Sequence, residues 1–359
     1  MLVYWSWRSL NISMEYPSLD TAKAGAIRFN TDSSQMEIYD GNQWIGIEAT
    51  SPFLQTGGTR GLFHGFFNDS ATNRTVDYVQ ITTTGNALDF GDMNSNAQFY
   101  GGATSSRIHS YYIGGQNMGG SHSNQIQYFT MSSTGNGTDY GDLDTNVTYS
   151  NSGASNGTRG LSGGGGRTGG SNTNVIEYFS LTTSGSGRNF GDLRAEQFAG
   201  PGVACSKTRS IFTSNASASA SNYKYMDYVQ TATLGNAADF GDQSTGFGHH
   251  GQGIASNAVR GVLVSSYVAP SKVNTVEYVT IATLGDSVDF GDLTQVRMMS
   301  GCAASSTRLV VSNGRTDGPG FVNTIDYAQI MTTGNFVDFG DSTVGSDMRP
   351  GASNGHGGL

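Results

Sequence analysis

Residue types able to do chemistry are few in this sequence, and their spacing builds no familiar site. The six histidines are His64, His109, His122, His249, His250 and His356. No two have the i, i+4 spacing of a helical metal pair, and no cysteine cluster accompanies them, so zinc is not expected. His249 and His250 would point to opposite faces of a strand. Cys205 and Cys302 are too few for a disulfide framework and read as small buried thiols. There is no serine elbow, phosphate loop or calcium EF-hand. Gly163-Gly164-Gly165-Gly166 leads into no helix, so it does not read as a phosphate cradle.

Two charged residue types do recur at fixed register. Arginines stand at Arg60, Arg107, Arg159, Arg209, Arg260 and Arg308, and aspartates at Asp92, Asp142, Asp192, Asp242, Asp292 and Asp341. An acid or Asn precedes each aspartate by three positions (Asp89, Asp139, Asn189, Asp239, Asp289, Asp338). Calcium would need about six converging oxygens. The simpler expectation is that the acids bond backbone amides after a strand, and that the arginines are clamped to acids or carbonyls. A role repeated in every unit is structural. No catalytic residue, metal ligand or cofactor site is expected.

The elements that carry these residues are repeats. Tyr78, Tyr128, Tyr178, Tyr228, Tyr278 and Tyr327 fall 50, 50, 50, 50 and 49 residues apart, each inside an apolar-acid/Gln-Tyr-apolar run such as Val76-Asp77-Tyr78-Val79. Each copy continues through a Thr/Ser stretch and a Gly-Asn, Gly-Ser or Gly-Asp pair, and closes on an aromatic-Gly-Asp triplet. Four short strands fit each unit. The first is small and Gly-rich (97–103), the second follows the arginine (260–264), the third carries the tyrosine (275–281) and the fourth enters the triplet (288–290). The Gly-Asn pair predicts a tight turn with positive φ. Four strands per roughly 50 residues is a propeller-blade unit. The apolar residues on both faces of the third strand fit a sheet covered on both sides.

Composition agrees. The chain has 359 residues, 52 of them Gly, 6 Pro and only 13% charged, which suits neither disorder nor collagen. A net charge of −9 argues against nucleic-acid binding, and no apolar run reaches the roughly 20 residues of a membrane helix.

At these residues the sequence resembles the kelch repeat. That family places an Arg before the first strand, Gly-Gly after the second, Tyr in the third and an aromatic in the fourth. Here Gly114-Gly115 follows Tyr111-Tyr112-Ile113, and Phe or Tyr replaces the usual Trp; elsewhere the double Gly is eroded to Ser214-Asn215, Ser265-Ser266 and Ser312-Asn313. The resemblance covers roughly residues 57–354 and implies a fold, not an activity. The reading is an all-β, six-bladed kelch-like β-propeller over residues 56–359, with 346–354 supplying the inner strand of the blade that holds 59–92. The alternative is seven blades, the extra one built from Tyr39-Asp40 and Trp44.

Residues 1–55 read as an attachment segment with a short β-hairpin turning at Asp40-Gly41-Asn42. Met1 to Trp7 is apolar, but Arg8 interrupts it too early for a signal-peptide core. Strands over 26–30 and 36–47 look like the small hairpin segment frequent in bacteriophage tail fibres and other virion appendages. That resemblance implies a non-enzymatic virion structural protein on a tail or other surface appendage. Its partners would be other virion proteins, further copies of itself and a host surface glycan or protein, with no nucleic acid and no membrane insertion. The candidate receptor-binding residues lie in the non-repeating connections between second and third strands: Asn68, Asn73, Asn117, His122, Tyr223, Tyr267 and Phe321. Three other readings stand beside it: a tail-tip, nozzle or capsid-decoration component without receptor binding; a cellular kelch-like interaction module; and a propeller enzyme such as a copper oxidase or sugar-cleaving enzyme.

Overall fold

The computed structural model describes residues 22–30, 35–47, 59–69, 74–94, 99–117, 119–144, 152–166, 172–197, 202–214, 224–244, 253–264, 267–268, 271–318 and 320–359. All regular structure among them is β-strand. The chain forms two compact units, Met1–Leu54 and Gln55–Leu359.

In the first unit, Ile27–Asn30, Gln35–Tyr39 and Trp44–Ile47 make a three-stranded antiparallel sheet. The turn forms because Asp40 Oδ1 accepts the Asn42 and Gln43 amides at 2.7 and 2.8 Å, while Gly41 takes a φ of 105°. Arg28 bonds Glu37 at 2.7 Å and stacks over the Trp44 ring at 4.2 Å, tying the three strands on one face.

The second unit is propeller-like. Six four-stranded antiparallel sheets follow one another, each ordered inner, second, third, outer. The second repeat shows the pattern: Gly102–Ser105, His109–Ile113, Gln125–Thr130 and Thr138–Asp142. In the first repeat the inner strand comes from the far end of the chain, with Gly351, Ala352 and Ser353 opposite Phe63, Leu62 and Gly61. The third and outer strands meet with a register shift in every repeat, as between Val76 and Asp77, where Gly91 and Asp89 face them and Phe90 is the extra residue. This bulge turns Phe90 into the core and its glycine toward the next sheet.

Both faces of each sheet are buried. One cluster packs Leu62, Val76, Phe90 and Met93 of the first repeat against Tyr112, Phe129 and Met131 of the second. Another packs Phe63, Val79 and Ile81 of the first against Ala303, Val310, Ile325 and Phe339 of the sixth. The remaining four clusters join repeats two to three, three to four, four to five and five to six. Each fully buried aromatic or branched side chain contributes about 1.5–3 kcal/mol, so these inter-sheet layers are the main source of stability. The expected tight Gly-Asn hairpin is not what forms. Seven residues separate Gln80 from Leu88, and the pair serves the neighbouring sheet instead.

Candidate functional site

Three sets of repeated bonds stitch the sheets together, and they account for the recurring arginines and for the acids of the third strands. In five repeats the arginine that opens the second strand donates to the carbonyl ending the third strand of the next repeat. These bonds are Arg60 to Met131 O (2.7 Å), Arg159 to Thr231 O (3.0 Å), Arg209 to Ile281 O (2.8 Å), Arg260 to Ile330 O (3.4 Å) and Arg308 to Ile81 O (3.0 Å). Each guanidinium lies over the tyrosine of its own third strand, at 4.2–4.9 Å from the ring centroid. The second repeat departs from the sequence expectation. His109, not Arg107, holds the register opposite Thr130, as Arg60 does opposite Gln80. His109 meets the Tyr128 ring edge to face at 4.8 Å between centroids, and the Tyr111 hydroxyl makes the missing bond, to Leu181 O at 2.7 Å. Arg107 lies two positions earlier, in the hairpin.

The aromatic-Gly-Asp triplet works through its backbone. The turn glycine of each following repeat donates to the triplet's aromatic carbonyl, from Gly135 to Phe90 O at 2.8 Å through to Gly85 and Phe339 O at 2.8 Å. The residue two positions further donates to the triplet aspartate's carbonyl, as Gly137 does to Asp92 O at 2.8 Å. A Cβ on Gly91 would lie 2.5 Å from the Gly135 carbonyl oxygen, so only glycine allows this approach. The amide two residues past the triplet is accepted not by the triplet carboxylates but by the acid or Gln of the next third strand. The six acceptors are Gln127, Glu177, Asp227, Glu277, Asp326 and Asp77. All six are buried. Asp77 and Asp326 are further paired with the fully buried Arg349 (2.7 Å) and Arg297 (3.1 Å).

At the inner strands, hydroxyls bridge neighbours. Ser105 donates to Ser353 O at 2.6 Å, Ser155 to Ser105 O at 2.7 Å and Ser256 to Cys205 O at 2.8 Å. Residues 354–359 run among these strands. His356 meets Ser155 Oγ at 3.1 Å, Ser105 O at 3.3 Å and Cys205 Sγ at 3.5 Å, and the Gly357 amide donates to Ser256 O at 2.8 Å. Gly358 N–H donates to His356 Nδ1 at 3.0 Å, which leaves the ring proton on Nε2. His64 is equally enclosed, between Pro350 O (3.1 Å) and Ser110 Oγ (2.8 Å). Burial lowers its pKa to about 4, so it stays neutral. Burial pushes the Cys302 thiol up to about 12, so it is inert. Among the described residues no group of three His, Cys, Asp or Glu is placed to hold a metal ion.

The second-to-third connections leave the sheets at the opposite end from the arginine bonds. Here the backbone ladder still repeats, as where the Met93, Leu143, Gln243, Leu293 and Ser342 amides donate to the Arg74, Asn124, Lys224, Asn274 and Asn323 carbonyls, but the aromatic and ionic contacts of the loops do not. Phe321 of the sixth repeat contacts Phe67 of the first (5.9 Å), Phe67 contacts Phe99 at the second (5.2 Å), and Phe99 contacts Tyr100 (5.1 Å). Arg315 lies over Phe321 at 5.1 Å. Tyr267 sits on a short hairpin opposite Lys272, whose ammonium bonds Asp317 of the next loop at 2.7 Å. Asn68 follows Phe67 and is half-buried. Asn117 shapes its own turn by accepting the Ser121 amide at 2.9 Å, and His122 bridges to Gln116. Asn73 and Tyr223 lie outside the described residues, as do His249 and His250. The candidates thus fall into two groups, Asn68, Tyr267 and Phe321 about repeats five, six and one, and Asn117 with His122 on repeat two. Beneath the first group sits a residue the sequence reading passed over, Asp347. Its backbone pairs both ways with Phe67 (3.0 and 3.1 Å), it is 0% exposed, and neither carboxylate oxygen has a hydrogen-bond partner. The signal available was register: Asp347 stands where Phe99 and Met298 stand in two other repeats.

No protein-family model and no curated protein matches this chain.

Proposed function

We propose that the chain is a non-enzymatic phage virion structural protein, a tail-fibre or adhesin-like appendage that presents the loop end of a six-bladed, kelch-like propeller to a host surface glycan or protein. Six sheets succeed one another, and each inter-sheet bond set and core cluster that joins repeat to repeat also joins the sixth to the first. That succession supports six blades in a closed ring. The N-terminal sheet has three strands and belongs to a separate unit, which favours six over seven.

The observation that carries the functional reading is the division between the two ends of the second unit. One end carries the repeated arginine and turn-glycine bonds, and Thr59 lies there, since its carbonyl accepts the Ile81 amide at 2.9 Å. The other end carries unrepeated loops with an aromatic run and charged side chains. Rigid scaffolds commonly hold recognition on such loops. The N-terminal hairpin, by its likeness to phage appendage segments, then serves as the anchor to other virion proteins. Mass spectrometry of purified virions from the source tests the assignment directly. Absence from particles, with the gene among cellular genes, would favour a kelch-like interaction module instead. Presence on particles without surface binding would make the chain a tail-tip, nozzle or capsid-decoration component.

A further inference from the structure

We propose that Asp347 is a proton-operated latch. Held as the neutral acid, it fastens the segment 347–353 to residues 61–67, and on ionisation it loosens that pairing and the aromatic run above it. Three observations carry this. First, the carboxyl group is fully buried and has no donor for either oxygen, although its backbone is locked to Phe67 by two hydrogen bonds. A buried carboxylate without donors is costly, and the group relieves that cost by taking a proton. Second, the same register holds apolar residues elsewhere, the buried Phe99 and the half-buried Met298, so the position does not require a charge. Third, the charged groups that face it do not neutralise it by contact. Arg315 and Lys272 attract the charged form and Asp69 repels it, but Lys272 is already bonded to Asp317 and Arg315 is stacked on Phe321. Burial dominates and raises the pKa from 3.8 to about 7.

The sign follows from the folded state holding the proton more tightly than the unfolded chain. The stabilisation is complete below the unfolded value of 3.8 and is lost as pH rises through about 7. Between those limits the folded-to-unfolded ratio should fall about tenfold per pH unit from this one group. The latch lies under Phe67, which touches both Phe99 and Phe321. Under the functional reading above it would make recognition weaker in alkali, but the latch itself does not depend on that reading.

The test uses the full chain. Asp347→Asn and Asp347→Met, the second copying Met298, are compared with the parent by urea unfolding from pH 5 to pH 9. Hydrogen exchange is read over residues 61–67 and 347–353, corrected for intrinsic rate. The parent should lose stability relative to both variants as pH rises from 5 to 8. Its two segments should exchange at least tenfold faster at pH 8.5 than the variants' segments. A parent-to-variant difference that does not change with pH, or a parent more stable than both variants at pH 8.5, overturns the proposal. The Met variant keeps the test decisive if the Asn amide is itself poorly accommodated. Since no ligand is involved, failure here would leave the recognition reading untouched.

Discussion

Arg209→Ala isolates the bond set that joins one sheet to the next. The guanidinium donates to Ile281 O at 2.8 Å and lies 4.5 Å from the Tyr228 ring centroid, while Ile281 itself is buried. Removing the side chain deletes a charge-assisted hydrogen bond, about 1.5–3 kcal/mol, and strands a carbonyl that water reaches poorly. The half-exposed cation–π contact adds about 0.5–1 kcal/mol. Freed side-chain entropy returns up to about 2 kcal/mol. The net loss should be about 2 kcal/mol, a drop in melting temperature of about 4 °C. Equilibrium urea unfolding with an unchanged slope is the assay. Arg308→Ala should cost a similar amount, because its acceptor Ile81 O lies on the first repeat. Tyr111→Phe should cost about 1–2 kcal/mol, since its hydroxyl replaces the arginine bond. Arg107→Ala should cost less than half as much as Arg209→Ala. Losses below about 0.5 kcal/mol at both Arg209 and Arg308, the range of surface pairs, would refute the clamp.

Gly91→Ala should destabilise by about 2–4 kcal/mol in a thermal melt, because its Cβ meets the Gly135 carbonyl; Gly85→Ala, also at positive φ but with open space around it, should cost only about 1 kcal/mol. Stability carried by neutral His64 should be full above pH 6.5 and lost as pH falls toward 4, a change of about 3 kcal/mol that His64→Gln should flatten in unfolding titrations. Deleting residues 346–359 removes the strand paired with Gly61–Phe63 and leaves Asp77 buried without Arg349, which alone costs about 3–5 kcal/mol. A deletion variant melting within a degree or two of the parent would show that this pairing does not hold the second unit together.

The repeat period, the Tyr-bearing third strand and the triplet were legible because each recurs at a fixed spacing and so reports a shared local environment. Thr275–Thr280 and Arg260–Val264 fall where the pattern puts them. The roles of the recurring charges were less legible. Asp77 and its counterparts sit in alternating runs where an acid normally faces water, yet both faces of these sheets are covered, so the acids are buried. Their partners lie about 33 residues back in the preceding repeat, a separation that local periodicity does not expose. Arg107 misled because identity was matched without register; the β-pairing aligns His109. Asp347 and His356 are exceptions to the repeat. A single departure is visible in sequence only after the register of its counterparts in the other five repeats is known.

The central claim is that the loop end recognises a bacterial surface. The direct measurement is binding of the full chain to an array of bacterial surface polysaccharides and lipopolysaccharides. It is paired with a variant in which residues 215–223 and 316–320 are replaced by Gly-Ser and whose folding is checked by circular dichroism. The account predicts saturable binding of the parent to at least one glycan, and its loss in the folded variant. Binding that survives loop replacement, or a parent that decorates purified particles yet binds no surface glycan and no host cell, would contradict it.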